Sequence, residues 1–181
     1  MPAPQTVTTI EELLALPEDG LRHELLDGEH VMTPAPSVDH QRVLVSLFRH
    51  LTDAAADRPD LEVFAGPADI RLAPRTLVQP DLFIVVSDPK HRFRDWADAP
   101  IPLLAIEILS PSTAARDRGQ KRRLYLGAGV EEYWIVDLDA HLVERWRRGD
   151  LRPEIVEDRL DWRIGEASGS LQLESVFRVI G

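Results

Sequence analysis

The 181-residue sequence has no cysteine. That excludes a disulfide scaffold, a zinc ribbon and a thiol nucleophile. It lacks any stretch near the ~18 apolar residues of a membrane span. It is also short of positive charge, with 21 Lys and Arg against 31 Asp and Glu, a net charge of −10. A protein that grips nucleic acid by its overall charge is therefore excluded. Any such site must be a local basic patch, or must use a metal ion to offset the acid. No GxSxG elbow, P-loop, HExxH or EF-hand loop occurs. The six histidines, at positions 23, 30, 40, 50, 91 and 141, show no paired metal spacing. The opening MPAPQTVTTI has no basic region followed by an apolar run, so no secretory signal is read and a cytoplasmic location is expected. No repeat or low-complexity tract is present.

What is there reads as one folded domain over 1–181. Hydrophobic residues make up 44% and charged residues 29%, the balance of a chain that buries a core. Thr9 with Glu12 forms a capping box and opens a short helix before Pro17. Asp27-Gly28 between Arg22–Leu26 and Glu29–Thr33 predicts a hairpin. Ser37 can cap a helix whose Leu44, Leu47, Phe48, Leu51 and Ala55 recur at helical spacing. Strands follow at Leu61–Phe64, Ile70–Leu72 and Leu77–Val86, the last irregular near Pro80. Ile101–Leu109 reads as a strand buried on both faces. A helix is expected from about Ala114 to Leu126, then strands at Glu132–Asp137 and Leu142–Arg147. Leu171, Leu173, Val176 and Phe177 predict a terminal segment packed on the body. The order implies an α+β fold with a mixed sheet, Ile101–Asp137 forming a crossover unit.

Three charged residues stand out against this apolar background. Glu107 lies inside LLAIEIL. A buried carboxylate must be protonated, paired or bound to a metal, although a strand-end acid could also reach solvent. Asp81 follows Pro80 and shares a strand face with Phe83 and Val85. If the two strands are neighbours, the two acids can meet, and such oxygen ligands suit Mg²⁺. Lys121 stands one helical turn after Asp117. That spacing gives either an ordinary surface pair or a lysine that reaches a pocket. Basic residues cluster in Lys90-His91-Arg92-Phe93-Arg94, in Arg116 to Arg123, and around Trp146.

Pro80-Asp81 followed by Glu107 resembles the Pro-Asp…(Asp/Glu)-x-Lys nucleases, but Leu109 stands where the lysine belongs. The run EILSPSTAARDRGQKRRLYLGAGVEEYWIVD resembles the signature of the Uma-two family of restriction endonucleases, and HELLDGEHVMTPAPSVDHQRV resembles its N-terminal segment. The resemblance covers about Leu21 to Arg147. It implies the restriction-endonuclease-like fold, a mixed sheet flanked by helices. It implies Asp81 and Glu107 as metal acids, with the Ile108 backbone carbonyl beside them. It places the missing lysine on the following helix, at Lys121, and a further acid, Glu24, close by. Asp117, Tyr125 and His40 match family positions too. Here they are read as orienting Lys121, as packing, and as a core or rim histidine.

The implied activity is Mg²⁺-dependent hydrolysis of DNA phosphodiester bonds, with Mn²⁺ as a substitute. The alternative is a non-catalytic module of the same fold that binds nucleic acid or a protein partner. The acid excess predicts weak non-specific DNA affinity. A homodimer is expected, since nucleases of this fold often pair two sites.

Overall fold

The computed structural model describes residues 7–180, so the first six residues of the N-terminal stretch lie outside it, as does Gly181. Thr9 caps α1 (Ile10–Leu14), and the Glu12 carboxylate bonds back to the Thr9 amide. Strands β1 (Arg22–Leu26) and β2 (Glu29–Thr33) form the expected hairpin. Its corner residues Asp27 and Gly28 take φ values of 54° and 84°. Those left-handed values are what a two-residue turn between twisted strands requires. Ser37 caps α2 (Val38–Ala54) by accepting the His40 amide at 3.2 Å.

Strands β3 (Leu61–Ala65) and β4 (Ile70–Ala73) follow. The single strand expected over Leu77–Val86 is in fact two, β5 (Thr76–Val78) and β6 (Leu82–Val86). The chain leaves one sheet at Gln79 and joins another at Asp81. Pro80, which has no amide proton for a ladder, sits in the gap. Next come β7 (Leu104–Ile108), α3 (Ala114–Arg116), a π-helical turn (Asp117–Lys121) and α4 (Arg122–Ala128). The helix expected as uniform therefore widens at its centre. Strands β8 (Glu132–Asp137) and β9 (Leu142–Arg147) match their predicted bounds. The final third is richer than one packed segment: β10 (Glu154–Val156), a hairpin of β11 (Arg159–Ile164) and β12 (Ala167–Gln172), then α5 (Leu173–Phe177).

The larger sheet runs β10-β9-β8-β7-β6-β3, and a smaller one runs β2-β1-β5-β4. In the larger sheet β7 and β8 pair in parallel, while its other pairs are antiparallel. The parallel pair needs the crossover that α3 to α4 supply. Side-chain alternation then sorts the central strands into two faces. Leu82, Ile84, Leu104, Ile106 and Trp134 pack beneath α2, the β11–β12 hairpin and α5. Phe83, Val85, Ala105, Tyr133 and Ile135 pack on the other face against Tyr125 of α4, with Leu26, Val31 and Ile70 of the smaller sheet. By the same alternation Asp81 and Glu107 belong to this second face, toward the crossover helix and the hairpin.

Candidate active site

The break at Pro80 places Asp81. Its amide donates to the Ile106 carbonyl at 3.1 Å, and its own carbonyl accepts the Gly66 amide at 2.8 Å. A Cβ at Gly66 would run into the Pro80 carbonyl oxygen, so only glycine permits this approach. Leu82 pairs with Ile106, which puts Asp81 opposite Glu107 on the neighbouring strand. The Asp81 side chain is held on both oxygens. Oδ2 accepts the Ile108 amide at 2.8 Å and faces His40 Nε2 at 3.1 Å. Oδ1 accepts Arg22 Nη1 at 2.7 Å, while Nη2 of the same arginine bonds the Gln79 carbonyl.

Glu107 is 4% exposed. Its Oε1 accepts both Lys121 Nζ and the Tyr125 hydroxyl, each at 2.8 Å. Lys121 Nζ also lies 2.8 Å from Glu24 Oε1, which accepts the Gln79 amide at 2.7 Å. Lys121 thus ties the crossover helix to β7 and β1 together. Asp117 is buried nearby but forms no ion pair with Lys121 among the described residues. Tyr125, expected to pack, also donates to Glu107. His40, expected at the core or rim, is bonded to Asp81. Arg22, which no sequence pattern singled out, covers the remaining Asp81 oxygen.

Four buried carboxylates, Glu24, Asp81, Glu107 and Asp117, here surround two permanent cations, Arg22 and Lys121. If all ionise, two negative charges go unbalanced. The groups divide that strain unequally. Burial pushes Asp81 up, but His40, Arg22 and the Ile108 amide outweigh it and hold it at about 2. Burial raises Glu107 to about 8; Lys121 pulls against it, while Asp81, Asp117 and Glu24 add to the rise. Burial also raises Asp117. Lys121 is held firmly protonated: burial opposes the charge, and Glu107 and Glu24 overcome it.

These groups line one cleft of about 620 Å³. Half-buried Arg116 lines it as well and enters no ion pair among the described residues. Arg118 is committed to Asp137 at 2.8 Å and Glu144 at 2.6 Å. The Lys90–Arg94 loop follows the far end of β6, a strand length from Asp81, and does not line the cleft. Arg147 pairs with Glu132 at the start of β8, also the opposite end from Glu107. Trp146 is 6% exposed beneath the Arg122 guanidinium at 4.1 Å, so it packs. Of the three basic clusters, only the one on the crossover reaches the acids.

Among the described residues no three His, Asp or Glu side chains already stand grouped as a metal cage. The donor chemistry nevertheless fits a hard divalent cation. Carboxylate oxygens are its preferred ligands, the acids outnumber the cations, and among the described residues the side-chain hydrogen bonds of Glu107 fall on Oε1 and none on Oε2. Residues 10–175 match the sequence profile of the Uma2 family, described as putative restriction endonucleases. The chain belongs to the Uma2 family. Two uncharacterized proteins of Synechocystis sp. are 27% and 29% identical to it, over 82% and 86% of this chain and 80% and 78% of theirs. A crystal structure titled as a putative nuclease belonging to DUF820, from Anabaena variabilis, superposes with a TM-score of 0.78 at 17% identity, covering 96% of this Uma2 chain and 99% of that one. The fold is thus the restriction-endonuclease-like one, a central mixed sheet flanked by helices.

Proposed function

We propose that this chain is a divalent-metal-dependent endonuclease that hydrolyses DNA phosphodiester bonds. The observation that carries it is the convergence of Asp81, Glu107 and Lys121 in one cleft, from the start of β6, from the neighbouring β7, and from the crossover that follows β7. Asp81 and Glu107 are the residues that would hold Mg²⁺, or Mn²⁺ in its place, with the Ile108 backbone carbonyl beside them. When bound, such an ion polarises the phosphate and lowers the pKa of a coordinated water.

The chain's own residues do the rest. The Ile108 amide and His40 fix Oδ2 of the Asp81 carboxylate, so the orientation of that group is set before substrate arrives. Lys121 stays protonated and offers a fixed positive charge to the phosphate oxygens as they gain charge. Glu24 and Tyr125 keep that ammonium and the Glu107 carboxylate in place. Arg116, on the cleft wall and in no ion pair among the described residues, adds positive charge that a phosphate can meet.

The test is cleavage of single-stranded, duplex and branched DNA with Mg²⁺ or Mn²⁺. Wild type should cleave at least one of these. Asp81→Ala, Glu107→Ala and Lys121→Ala should abolish it. Absence of metal-dependent cleavage on all three substrates would overturn the proposal and favour a binding module of the same fold.

A further inference from the structure

The two oxygens of Asp81 are held in different ways. Oδ2 is bound by the Ile108 amide and His40, groups fixed by β7 and α2. Oδ1 is covered by Arg22, at the first position of β1, whose side chain is 21% exposed. Arg22 lines the cleft, with its guanidinium bridging Asp81 and the Gln79 carbonyl. A cation that ligates Asp81 through Oδ1 must take that oxygen from a guanidinium. Two positive charges within bonding distance of one carboxylate repel strongly where water is scarce. An arginine cannot relieve this by losing its proton. It can only move, and its partial exposure leaves it the cleft to move into.

We propose that Arg22 is an exchangeable placeholder. It neutralises Asp81 while no ion is bound, releases Oδ1 to the divalent cation, and then offers its guanidinium fork to two oxygens of a phosphate in the cleft. This rests on the metal-dependent reading above. The charge count supports it, since exchanging one positive charge for two cancels more of the acid excess around Lys121. The geometry of the fork supports it too, because two parallel N–H donors match two phosphate oxygens.

The test is Arg22→Gln, read by two bindings and no turnover. Calorimetry with Mn²⁺ alone should show the variant binding tighter than wild type, by roughly tenfold. A thymidine dinucleotide phosphodiester, titrated in saturating Mg²⁺, should bind the variant several-fold more weakly. A merely structural arginine would weaken both. In wild-type protein, the Arg22 Nε–H resonance should shift during a Mg²⁺ titration with the same midpoint as calorimetry of wild type with Mg²⁺, a readout that does not depend on the variant folding. Mn²⁺ binding that is equal or weaker in Arg22→Gln, dinucleotide binding that is unchanged, or a resonance that stays put at Mg²⁺ saturation would each overturn the exchange while leaving the nuclease reading intact. Failure of wild type and variant alike to bind Mn²⁺ would overturn both.

Discussion

Asp81 stands opposite Glu107 across the antiparallel pair of β6 and β7, and the two carboxyl groups are driven in opposite directions. Asp81 is held at about 2 by His40, Arg22 and the Ile108 amide against its burial. Glu107 is raised to about 8, chiefly by burial, with Lys121 opposing. Two acids at equivalent strand positions therefore hold different charge at neutral pH. The difference comes from what α2, β1 and the crossover helix bring to each.

That division predicts a pH dependence of the metal-free fold. Between the ordinary glutamate value of 4.5 and about 8, the folded chain holds a proton that the unfolded chain has lost. The stabilisation tied to that proton is complete below 4.5 and is lost as pH rises toward 8, with a slope of order 1 kcal/mol per pH unit. Urea midpoints of wild type in EDTA should fall over this window relative to Glu107→Gln. Parallel curves for the two proteins would show that Glu107 is ionised throughout.

Removing Lys121 should be costly. Lys121→Met would leave the buried Glu24 carboxylate without its cation and Glu107 Oε1 without the ammonium it accepts, at a cost of about 3–5 kcal/mol in denaturant unfolding. Adding Glu24→Gln should recover part of that loss, because one uncompensated charge goes with it. A Lys121→Met protein as stable as wild type would contradict the triad.

Much of the molecule was legible from local chemistry. Asp27-Gly28, Thr9 with Glu12, and Ser37 act within a few residues, so their turn and caps appear where expected. Asp81 and Glu107 were visible because a lone acid in an apolar strand needs a partner. Arg22 was not, and although His40 and Tyr125 match family positions, their bonds to the acids were not legible either, since nothing near these residues in sequence reveals contacts made 59, 41 and 18 residues away. The break at Pro80 was half seen: proline announces an irregular strand, but not that the chain changes sheets there. The π turn was hidden as well, because the side-chain pattern of Asp117–Lys121 reads as an ordinary helix.

Gly66 should be intolerant of a methyl group. Gly66→Ala meets the Pro80 carbonyl, a backbone atom that cannot give way without moving Asp81. A loss of about 1–3 kcal/mol is expected, as for overpacking elsewhere. Gly127→Ala is the control: it meets open space in α4 and should be neutral or stabilising by up to ~1 kcal/mol. Comparable behaviour of the two variants in thermal unfolding would contradict the close approach.

Tyr125→Phe removes only the hydroxyl bonded to Glu107 and keeps the ring stacked 5.0 Å from Tyr133. Denaturant unfolding should show a loss of about 1–3 kcal/mol from the bond left unmade. No loss would mean that the tyrosine acts by packing alone.

The most direct test of the site is a crystal of the wild-type protein soaked in Mn²⁺ and measured at a wavelength where manganese scatters anomalously. The expected result is one strong anomalous peak within ligand distance of both the Asp81 and Glu107 carboxylates, absent from Asp81→Asn crystals treated the same way. A peak elsewhere on the chain, or none at these two residues, would contradict a metal-dependent nuclease centre between β6 and β7.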